Sequence, residues 1–365
     1  MSALWSETVH RLVPYVPGEQ RAGSDIVKLN TNENPYPPSA AVLQAIAAVD
    51  GEALRRYPDA ESTRLRAALG EHHALRPDQV FVGNGSDEIL AFAFLAFFTG
   101  RGRLHYPSPS YSFYPVYCGL YGIVPEELPL HESDGFALDP ARFALDERSA
   151  GVILPNPNAP TGRAITLEAV EALLQRLPDR VVLIDEAYAD FGADSAVALI
   201  DRHPNLLVSR TFSKGRSLAG LRLGVALGDA TLIAALQRVK NSFNSYPVDV
   251  LAQAAGVASL QDETTYREQV SLIVATRERF VAALQARGWT VLPSAANFVF
   301  ARPADGEGEA LAARLSAAGV LVRRWSVEPI ARWLRISIGT DADMQRLLSL
   351  VDGASRDEPD GGATS

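Results

Sequence analysis

The sequence predicts an α/β protein whose main sheet is largely parallel. Short, almost wholly apolar runs alternate with amphipathic stretches along most of the chain, as strands and helices do when they follow one another. Continuously apolar strands are buried on both faces, which is typical of a parallel sheet covered by helices. The 365 residues suffice for about two domains, and 47% hydrophobic with 21% charged residues indicates a soluble protein with a sizeable core.

The predicted elements alternate regularly from residue 39 to residue 248, which we interpret as one large domain. Helices are predicted over residues 40–49, 62–75, 89–98 and 167–177. Short strands are predicted over residues 79–82, 151–154, 181–184, 206–209 and 223–226.

The chain changes character on both sides of this domain. Residues 1–38 are rich in Pro, Asn and Gly, which predicts an irregular N-terminal arm. A long helical stretch (249–287) is followed by short strands over residues 290–292, 297–301, 320–322 and 334–337. This pattern predicts a smaller α+β domain over residues 249–351. The composition of residues 352–365 predicts a disordered tail.

Composition argues against several classes of protein. The longest apolar run, 89–98, is shorter than the roughly 20 residues of a membrane span, and the first twelve residues lack the apolar core of a secretory signal. A net charge of −9 without a basic face argues against nucleic-acid binding. The single cysteine, Cys118, fits a reducing cytoplasm, and neither CxxC nor HExxH occurs to indicate a metal site. We therefore expect a cytoplasmic protein with no membrane, nucleic-acid or metal partner.

The basic residues are unevenly divided between lysine and arginine. Among 34 basic residues only three are lysines, namely Lys28, Lys214 and Lys240. Arginine stays protonated at any working pH and does not form a Schiff base. Any imine chemistry in this chain therefore has three candidate lysines.

The segment VVLIDEAY (181–188) places Asp185 and Glu186 at the end of an apolar strand. Ligands of open α/β sheets bind at the carboxyl ends of strands, and a carboxylate there can pair with the protonated nitrogen of a pyridine ring. The alternative is an aspartate that caps the next helix. From this segment alone the two interpretations remain equally open.

The segment RTFSKGRSLAGLRLG (210–224) surrounds Lys214 with small and polar residues. Thr211 and Ser213 offer hydroxyl groups, and Arg222 offers a bidentate donor to an anion. An enclosed lysine beside other cations has a lowered pKa, so its amine can attack a carbonyl group. The alternative is a surface lysine in a glycine-rich loop, against which the clustering argues.

Two further segments follow predicted strands. GNGSDE (83–88) leads into a helix, and backbone N–H groups at a helix N-terminus bind phosphate, although the segment matches neither a Walker loop nor GxGxxG. In NPNAPTG (156–162), prolines predict a rigid loop from which an asparagine can meet a phenolate oxygen. Either segment can also be an ordinary turn.

Taken together and in this order, the segments resemble the fold-type-I pyridoxal-phosphate (PLP) aminotransferases, and within them the histidinol-phosphate aminotransferase family. The resemblance covers residues 13–339. It is carried by PYVPGEQ (14–20), LNTNENPYPPS (29–39), RYPD (56–59), GNGSDE, PSPSYSFY (107–114), IDEAY, TFSKGRSLAGLRLG and LRISIGT (334–340). It implies a large domain with a mainly parallel sheet between helices, a smaller α+β domain, and an N-terminal arm (1–38) that contributes to the small domain and the active site.

The resemblance also implies a role for each matching residue. Lys214 would form the imine with PLP and move a proton between Cα and C4′. Asp185 would keep the pyridine nitrogen protonated, Tyr188 would hydrogen-bond the phenolic oxygen, and Tyr111 would stack on the ring. The cofactor phosphate would be bound by Gly85, Ser86, Asp87, Ser213 and Arg222, with Thr211 nearby.

Substrate and partner contacts follow from the same resemblance. Arg335 would bind the anionic end of the substrate, assisted by Arg323 and Tyr15, with Asn34 close by. Tyr57 would reach the cofactor phosphate of a partner subunit, which implies a homodimer with shared active sites. One position departs from the family, which has asparagine immediately before Pro-Thr-Gly. This chain has Ala159 there, and Asn158 is the candidate replacement.

The resemblance implies a transamination in histidine biosynthesis. L-Histidinol phosphate and 2-oxoglutarate would give imidazole acetol phosphate and L-glutamate. An aromatic-amino-acid aminotransferase and a threonine-phosphate decarboxylase are alternatives on the same scaffold. A PLP-sensing regulator of DNA is a non-enzymatic alternative, but the chain has no DNA-binding module before Leu29.

Overall fold

The computed structural model describes residues 3–21, 23 and 25–354. Twelve strands lie in this part of the chain: β1 Val27–Leu29, β2 Val80–Asn84, β3 Arg103–Ser108, β4 Val124–Pro129, β5 Ser149–Pro155, β6 Val181–Asp185, β7 Leu206–Thr211, β8 Leu223–Gly228, β9 Thr290–Val291, β10 Phe298–Arg302, β11 Val320–Val322 and β12 Leu334–Ser337. The helices of the same part are α1 Glu7–Arg11, α2 Ala40–Ala47, α3 Gly51–Leu54, α4 Thr63–His73, α5 Gly85–Ala93, α6 Tyr114–Tyr121, α7 Leu167–Arg176, α8 Ala230–Phe243, α9 Val250–Gln261, α10 Glu263–Gln285, α11 Gly308–Ala317 and α12 Asp341–Ala354.

The central sheet has seven strands in the order β2-β8-β7-β6-β5-β3-β4. The five strands from β7 to β4 pair in parallel, and β8 is antiparallel to both of its neighbours. The prediction of an α/β fold with a largely parallel sheet is therefore confirmed.

The sheet separates two hydrophobic cores, which explains its unbroken apolar strands. Along β6, Val182 and Ile184 pack into one core, while Leu183 between them packs into the other. Helices α2, α4, α7 and α9 cover the first face, and α5, α6 and α8 cover the second. Because successive side chains of a strand point to opposite faces, a strand between two helical layers must be apolar at every position.

The C-terminal part of the chain builds two small sheets. Strands β12, β10 and β9 form an antiparallel sheet, and β1 from the predicted arm pairs in parallel with β11. A bridge between Arg323 and Arg335 joins the end of β11 to β12. The arm is thus less irregular than predicted, because its apolar run 27–29 completes a sheet formed by residues some 290 positions later.

Two other boundaries differ from the sequence prediction. The helical stretch predicted over 249–287 is divided at Asp262, whose carboxylate accepts a hydrogen bond from the Thr265 backbone and begins α10. Helix α12 extends to Ala354, three residues into the predicted tail, and residues 355–365 lie outside the described residues. Within the described ranges, no helix is both long enough and apolar enough to span a bilayer.

Candidate active site

A cavity of about 400 Å³ lies at the carboxyl ends of the central strands. Its walls include Pro155, Asp185 and Thr211, the last residues of β5, β6 and β7. This is the position that parallel α/β sheets give to their ligands. Twelve of the residues predicted from the sequence line it: Tyr15, Ser86, Asp87, Tyr111, Asp185, Tyr188, Thr211, Ser213, Lys214, Arg222, Arg323 and Arg335.

Asp185 presents a buried carboxylate to this cavity. Its side chain is 4% exposed, and Oδ2 accepts a hydrogen bond of 3.0 Å from the Tyr114 hydroxyl. Oδ1 is buried without a hydrogen-bond partner among the described residues. Burial raises the pKa of Asp185 to about 7, although the bond from Tyr114 acts in the opposite direction. Such a carboxylate gains from a cationic partner placed at Oδ1.

Lys214 lies in the loop between β7 and β8 and lines the cavity. Its Nζ donates to the backbone oxygen of Thr31 at 2.9 Å. Burial, reinforced by the positive charge of Arg335, lowers the pKa of Lys214 to about 8. An amine with this pKa is available in its neutral form far more often than an exposed lysine is.

Two tyrosines lie on the cavity wall near Lys214. The Tyr111 hydroxyl donates to Asp87 Oδ1 at 2.9 Å, and the Tyr188 hydroxyl accepts from Asn32 Nδ2 at 3.0 Å. Burial raises the pKa of both phenols, so both remain protonated at neutral pH. They can therefore act as hydrogen-bond donors.

The start of α5 forms a close-packed corner with β8. Gly85 has φ +79°, and a Cβ there would lie 2.7 Å from Arg222 Nη2. A Cβ on Gly224 would lie 2.4 Å from the carbonyl carbon of Gly85 and 2.5 Å from the Ser86 nitrogen. Only glycine permits the first conformation cheaply, and only glycine lets β8 approach this closely. Gly224 was not among the predicted site residues, although it ends the segment RTFSKGRSLAGLRLG (210–224).

Hydroxyl and guanidinium groups surround that corner. Thr211 Oγ1 donates to Ser213 Oγ at 3.0 Å and accepts from the Ser213 backbone N–H. Arg222, itself at φ +52°, pairs with Asp87 at 2.9 Å. Together with the N-terminus of the nine-residue α5, these groups can bind a phosphate.

Two arginines meet at the other end of the cavity. Arg323 and Arg335 exchange backbone hydrogen bonds of 3.0 and 2.9 Å, so both side chains reach the same pocket. Arg335 donates to the backbone oxygen of Asn30, its Nε has no hydrogen-bond partner, and it pairs with no carboxylate of the described residues. Burial lowers the pKa of Arg335, and Arg323 adds to that effect. This end of the cavity therefore favours an anion.

Four predicted residues do not line the cavity, namely Gly85, Asn34, Tyr57 and Asn158. Gly85 lies next to Arg222, which does line it. Asn34 instead donates to the backbone oxygens of Lys214 and Gly215, so it holds the lysine loop and does not face the substrate space. Tyr57 is 82% exposed and stacks on Tyr246, with ring centroids 4.7 Å apart.

Asn158 does not take the place of the missing asparagine. Its amide donates to the Pro109 backbone oxygen and to Thr161 Oγ1, and its side-chain oxygen accepts from Ser110. Ala159, not Asn158, lines the cavity. Asn158 lies one position before Ala159, and all of its polar atoms already form hydrogen bonds with neighbouring loop residues.

Several important residues escaped the sequence analysis. Thr31, Asn32 and Glu33 come from the arm motif LNTNENPYPPS, which was recognised only as a pattern. Tyr114 ends the quoted motif PSPSYSFY and is fully buried against Asp185. These contacts join residues 71 to 183 positions apart, so local sequence gives no signal for them.

The site fits the pyridoxal phosphate that the resemblance implies. The unpartnered Oδ1 of Asp185 can receive the pyridinium proton, and Lys214 supplies the amine. Ser86, Ser213, Arg222 and the start of α5 can hold the phosphate.

The close approach at Gly224 leads to a test of this corner. We predict that Gly224→Ala destabilises the protein by about 1–3 kcal/mol, because the new methyl group meets backbone atoms that cannot turn aside. Urea unfolding measures the loss. Gly119→Ala is the matched control, since a Cβ at that exposed helical position contacts nothing within 4 Å and should stabilise slightly. Equal stabilities of the two variants would contradict the packing argument.

Comparisons with known proteins show the family of this chain. The family "Aminotransferase class I and II" matches residues 24–351. Histidinol-phosphate aminotransferase 1 of Bordetella parapertussis is 53% identical over 352 residues, which cover 96% of this chain and 98% of that protein. The Pseudomonas aeruginosa protein of the same name is 51% identical over 351 residues, covering 96% and 99%. The crystal structure of histidinol-phosphate aminotransferase from Sinorhizobium meliloti in complex with pyridoxal-5'-phosphate has a TM-score of 0.86 and 26% identity, with 98% of both chains covered. The chain belongs to the class I and II aminotransferases, and within them to the histidinol-phosphate aminotransferase family.

Proposed function

We propose that this enzyme transfers the amino group of L-histidinol phosphate to 2-oxoglutarate, which gives imidazole acetol phosphate and L-glutamate in histidine biosynthesis. Arg323 and Arg335, which pair through their backbones and both line the cavity, carry the proposal. They supply two adjacent bidentate donors, the arrangement that suits a phosphate monoester dianion. The names of the relatives support the same substrate.

Pyridoxal phosphate, the cofactor of this family, supplies an electron sink for the electron pair left when the substrate Cα loses its proton. Asp185 would keep a proton on the ring nitrogen and so strengthen that sink. Its burial supports this role, since a cation beside Oδ1, which has no hydrogen-bond partner among the described residues, would offset the cost of the buried charge.

Lys214 would both hold the cofactor and move the substrate proton. Its Nζ faces the cavity and has a pKa lowered to about 8, so it can accept a proton from Cα and return it. Asn34 would support this task indirectly, because it binds the backbone oxygens of Lys214 and Gly215 and fixes the loop.

The two substrates would share the arginine end of the cavity. Arg335, buried and without a carboxylate partner, would bind the anionic group of either substrate. Arg323 also donates to the Val16 backbone oxygen, and it would add the second guanidinium that a phosphate needs. Tyr15, which stacks on Phe113 at 4.5 Å, would close the cavity from the arm.

A homodimer with shared active sites is part of the proposal. Tyr57 does not line its own cavity, and its exposed ring stacks on that of Tyr246, which is 44% exposed. Exposed aromatic residues of this kind mark interaction surfaces.

Cys118 is buried in the core as a free thiol, which fits the cytoplasm as the compartment.

The assignment of the cofactor lysine can be tested by trapping. We expect Lys214→Ala to abolish the adduct that borohydride forms between enzyme and cofactor. Lys28→Ala and Lys240→Met should keep it, because Lys28 pairs with Glu33 at 2.6 Å and Lys240 is buried against Glu61 and the Ala60 carbonyl. Peptide mass analysis identifies the modified residue, and a labelled peptide containing Lys28 or Lys240 would overturn the site.

The substrate can be tested through the two arginines. Arg323→Ala should reduce kcat/KM for histidinol phosphate about tenfold or more, a loss of roughly 1.4 kcal/mol, and affect 2-oxoglutarate or phenylalanine less. Arg335→Ala should impair all of them. Arg324→Ala is the matched control, since that arginine pairs with Glu309 at 2.7 Å and does not line the cavity. Equal losses for phosphorylated and carboxylate substrates in Arg323→Ala would favour an aromatic aminotransferase.

Sharing of the active site can be tested with hybrid dimers of a Tyr57→Phe chain and a Lys214→Ala chain. The one intact lysine in such a hybrid belongs to the Tyr57→Phe chain, and the tyrosine that reaches it comes from the other chain. We expect more activity per intact lysine in the hybrid than in the Tyr57→Phe homodimer. Equal activities would show that Tyr57 does not act across the interface.

A further inference from the structure

Asn32 is held at every polar atom beside the active site. It is 1% exposed and has φ +55°, a left-handed conformation that asparagine tolerates. Its backbone N–H donates to Ser337 Oγ at 2.9 Å, and its backbone oxygen accepts from Asn297 at 2.9 Å. Its side-chain oxygen accepts from Ser337 Oγ at 2.8 Å, and its Nδ2 donates to the Tyr188 hydroxyl at 3.0 Å.

The direction of these hydrogen bonds is fixed by their chemistry. A backbone N–H can only donate, so Ser337 Oγ accepts the bond from Asn32 and keeps its single proton for another acceptor. That acceptor is the side-chain oxygen of Asn32. If the amide were turned over, its NH₂ would face Ser337, and the serine proton would lose this acceptor inside a buried site. The amide NH₂ must therefore point to Tyr188.

The consequence for Tyr188 is that it accepts a hydrogen bond from Asn32 and keeps its own proton. Its ring lines the cavity, so the proton is available to a group bound there. Burial raises the pKa of this phenol, which keeps the proton in place. Ala159, on the same cavity wall, offers no side-chain donor.

We propose that Asn32 is a positioning residue that makes Tyr188 a hydrogen-bond donor to the ring oxygen of the cofactor. The proposal rests on the proposed function, because it requires pyridoxal phosphate bound at Lys214. In a chain with alanine at position 159, Tyr188 would be the principal donor to that oxygen. The Ser337 hydroxyl would then affect the cofactor through three successive hydrogen bonds, from Ser337 to Asn32, from Asn32 to Tyr188 and from Tyr188 to the ring oxygen.

The bound cofactor's own absorption provides the test. Donation to the ring oxygen favours the form in which that oxygen carries most negative charge, which is the form without a proton on the lysine-bound nitrogen. Losing the donor therefore raises the pH midpoint of the spectral titration of the holoenzyme. We expect Tyr188→Phe to raise it by about one unit or more, a tenfold change in proton affinity.

Asn32→Asp should raise the midpoint at least as much. Aspartate has the same shape and tolerates the left-handed conformation, but its carboxylate accepts only and would take the proton of Tyr188. Its added charge is separated from this effect by repeating the change in Tyr188→Phe, where we expect less than half of the shift to remain. Equal shifts in the two backgrounds would overturn the proposal, as would a titration that Tyr188→Phe does not move.

Two further variants distinguish orientation from general stability. Ser337→Ala frees the Asn32 amide to turn and should raise the midpoint by a smaller amount, which keeps the test available should Asn32→Asp fail to fold. Asn297→Ala removes only the bond to the Asn32 backbone and should reduce stability while leaving the midpoint unchanged. If the wild-type enzyme shows no such titration, the proposed function itself is overturned. If the wild-type enzyme shows the titration but neither Asn32→Asp nor Ser337→Ala changes its midpoint, only this inference is overturned.

Discussion

A buried carboxylate with one unpartnered oxygen, that of Asp185, is the constraint on which the site depends. Its position at the end of β6 is fixed because the whole strand lies between two hydrophobic cores. Its second oxygen is held by Tyr114, and the first has no hydrogen-bond partner among the described residues. Burial raises the pKa of Asp185 to about 7 because it disfavours the charged carboxylate, and a bound cation would offset that cost. The fold therefore favours a protonated pyridine nitrogen beside Asp185.

Buried charged residues next to the cavity form ion pairs with one another, whereas Lys214 and Arg335 in the cavity wall remain free to bind an anionic ligand. Glu186, next to Asp185, is buried and binds Arg210 at 2.9 Å, and the same arginine pairs with Asp190. This network satisfies the charges under the lysine loop. Lys214 and Arg335, by contrast, donate to backbone oxygens and to no carboxylate of the described chain. A protein of net charge −9 can therefore hold a locally cationic pocket for anionic substrates.

Elements of the sheet were predictable to the extent that both of their faces are apolar. Strands β5 to β8 read as apolar runs because helices cover them on both sides. Strand β4 was missed because it is an edge strand, largely exposed and containing Pro125 and Pro129, which only an edge tolerates. Strand β3 was missed because His105 and Tyr106 interrupt its apolar pattern, although both are buried. The antiparallel direction of β8 depends on the connection through the lysine loop, which no residue pattern specifies.

Site residues were predictable where they contact the ligand space directly from the end of a strand. They were not predictable where they act by holding another side chain or loop in position. Asp185 and Lys214 follow apolar runs, which makes their type and position informative. The arm motif LNTNENPYPPS gave no such signal, yet three of its residues support different parts of the site. The Thr31 carbonyl holds the amine of Lys214, Asn32 orients Tyr188, and Asn34 holds the lysine loop. Since β1 pairs with β11 just before Arg323, the same arm connects these contacts to the arginine end of the cavity. The polar run 30–34 therefore meets hydrogen-bonding groups at both ends of the cavity, through the backbone oxygens of Asn30 and Thr31 and the side chains of Asn32 and Asn34, because polar groups inside a protein need partners where water does not reach them.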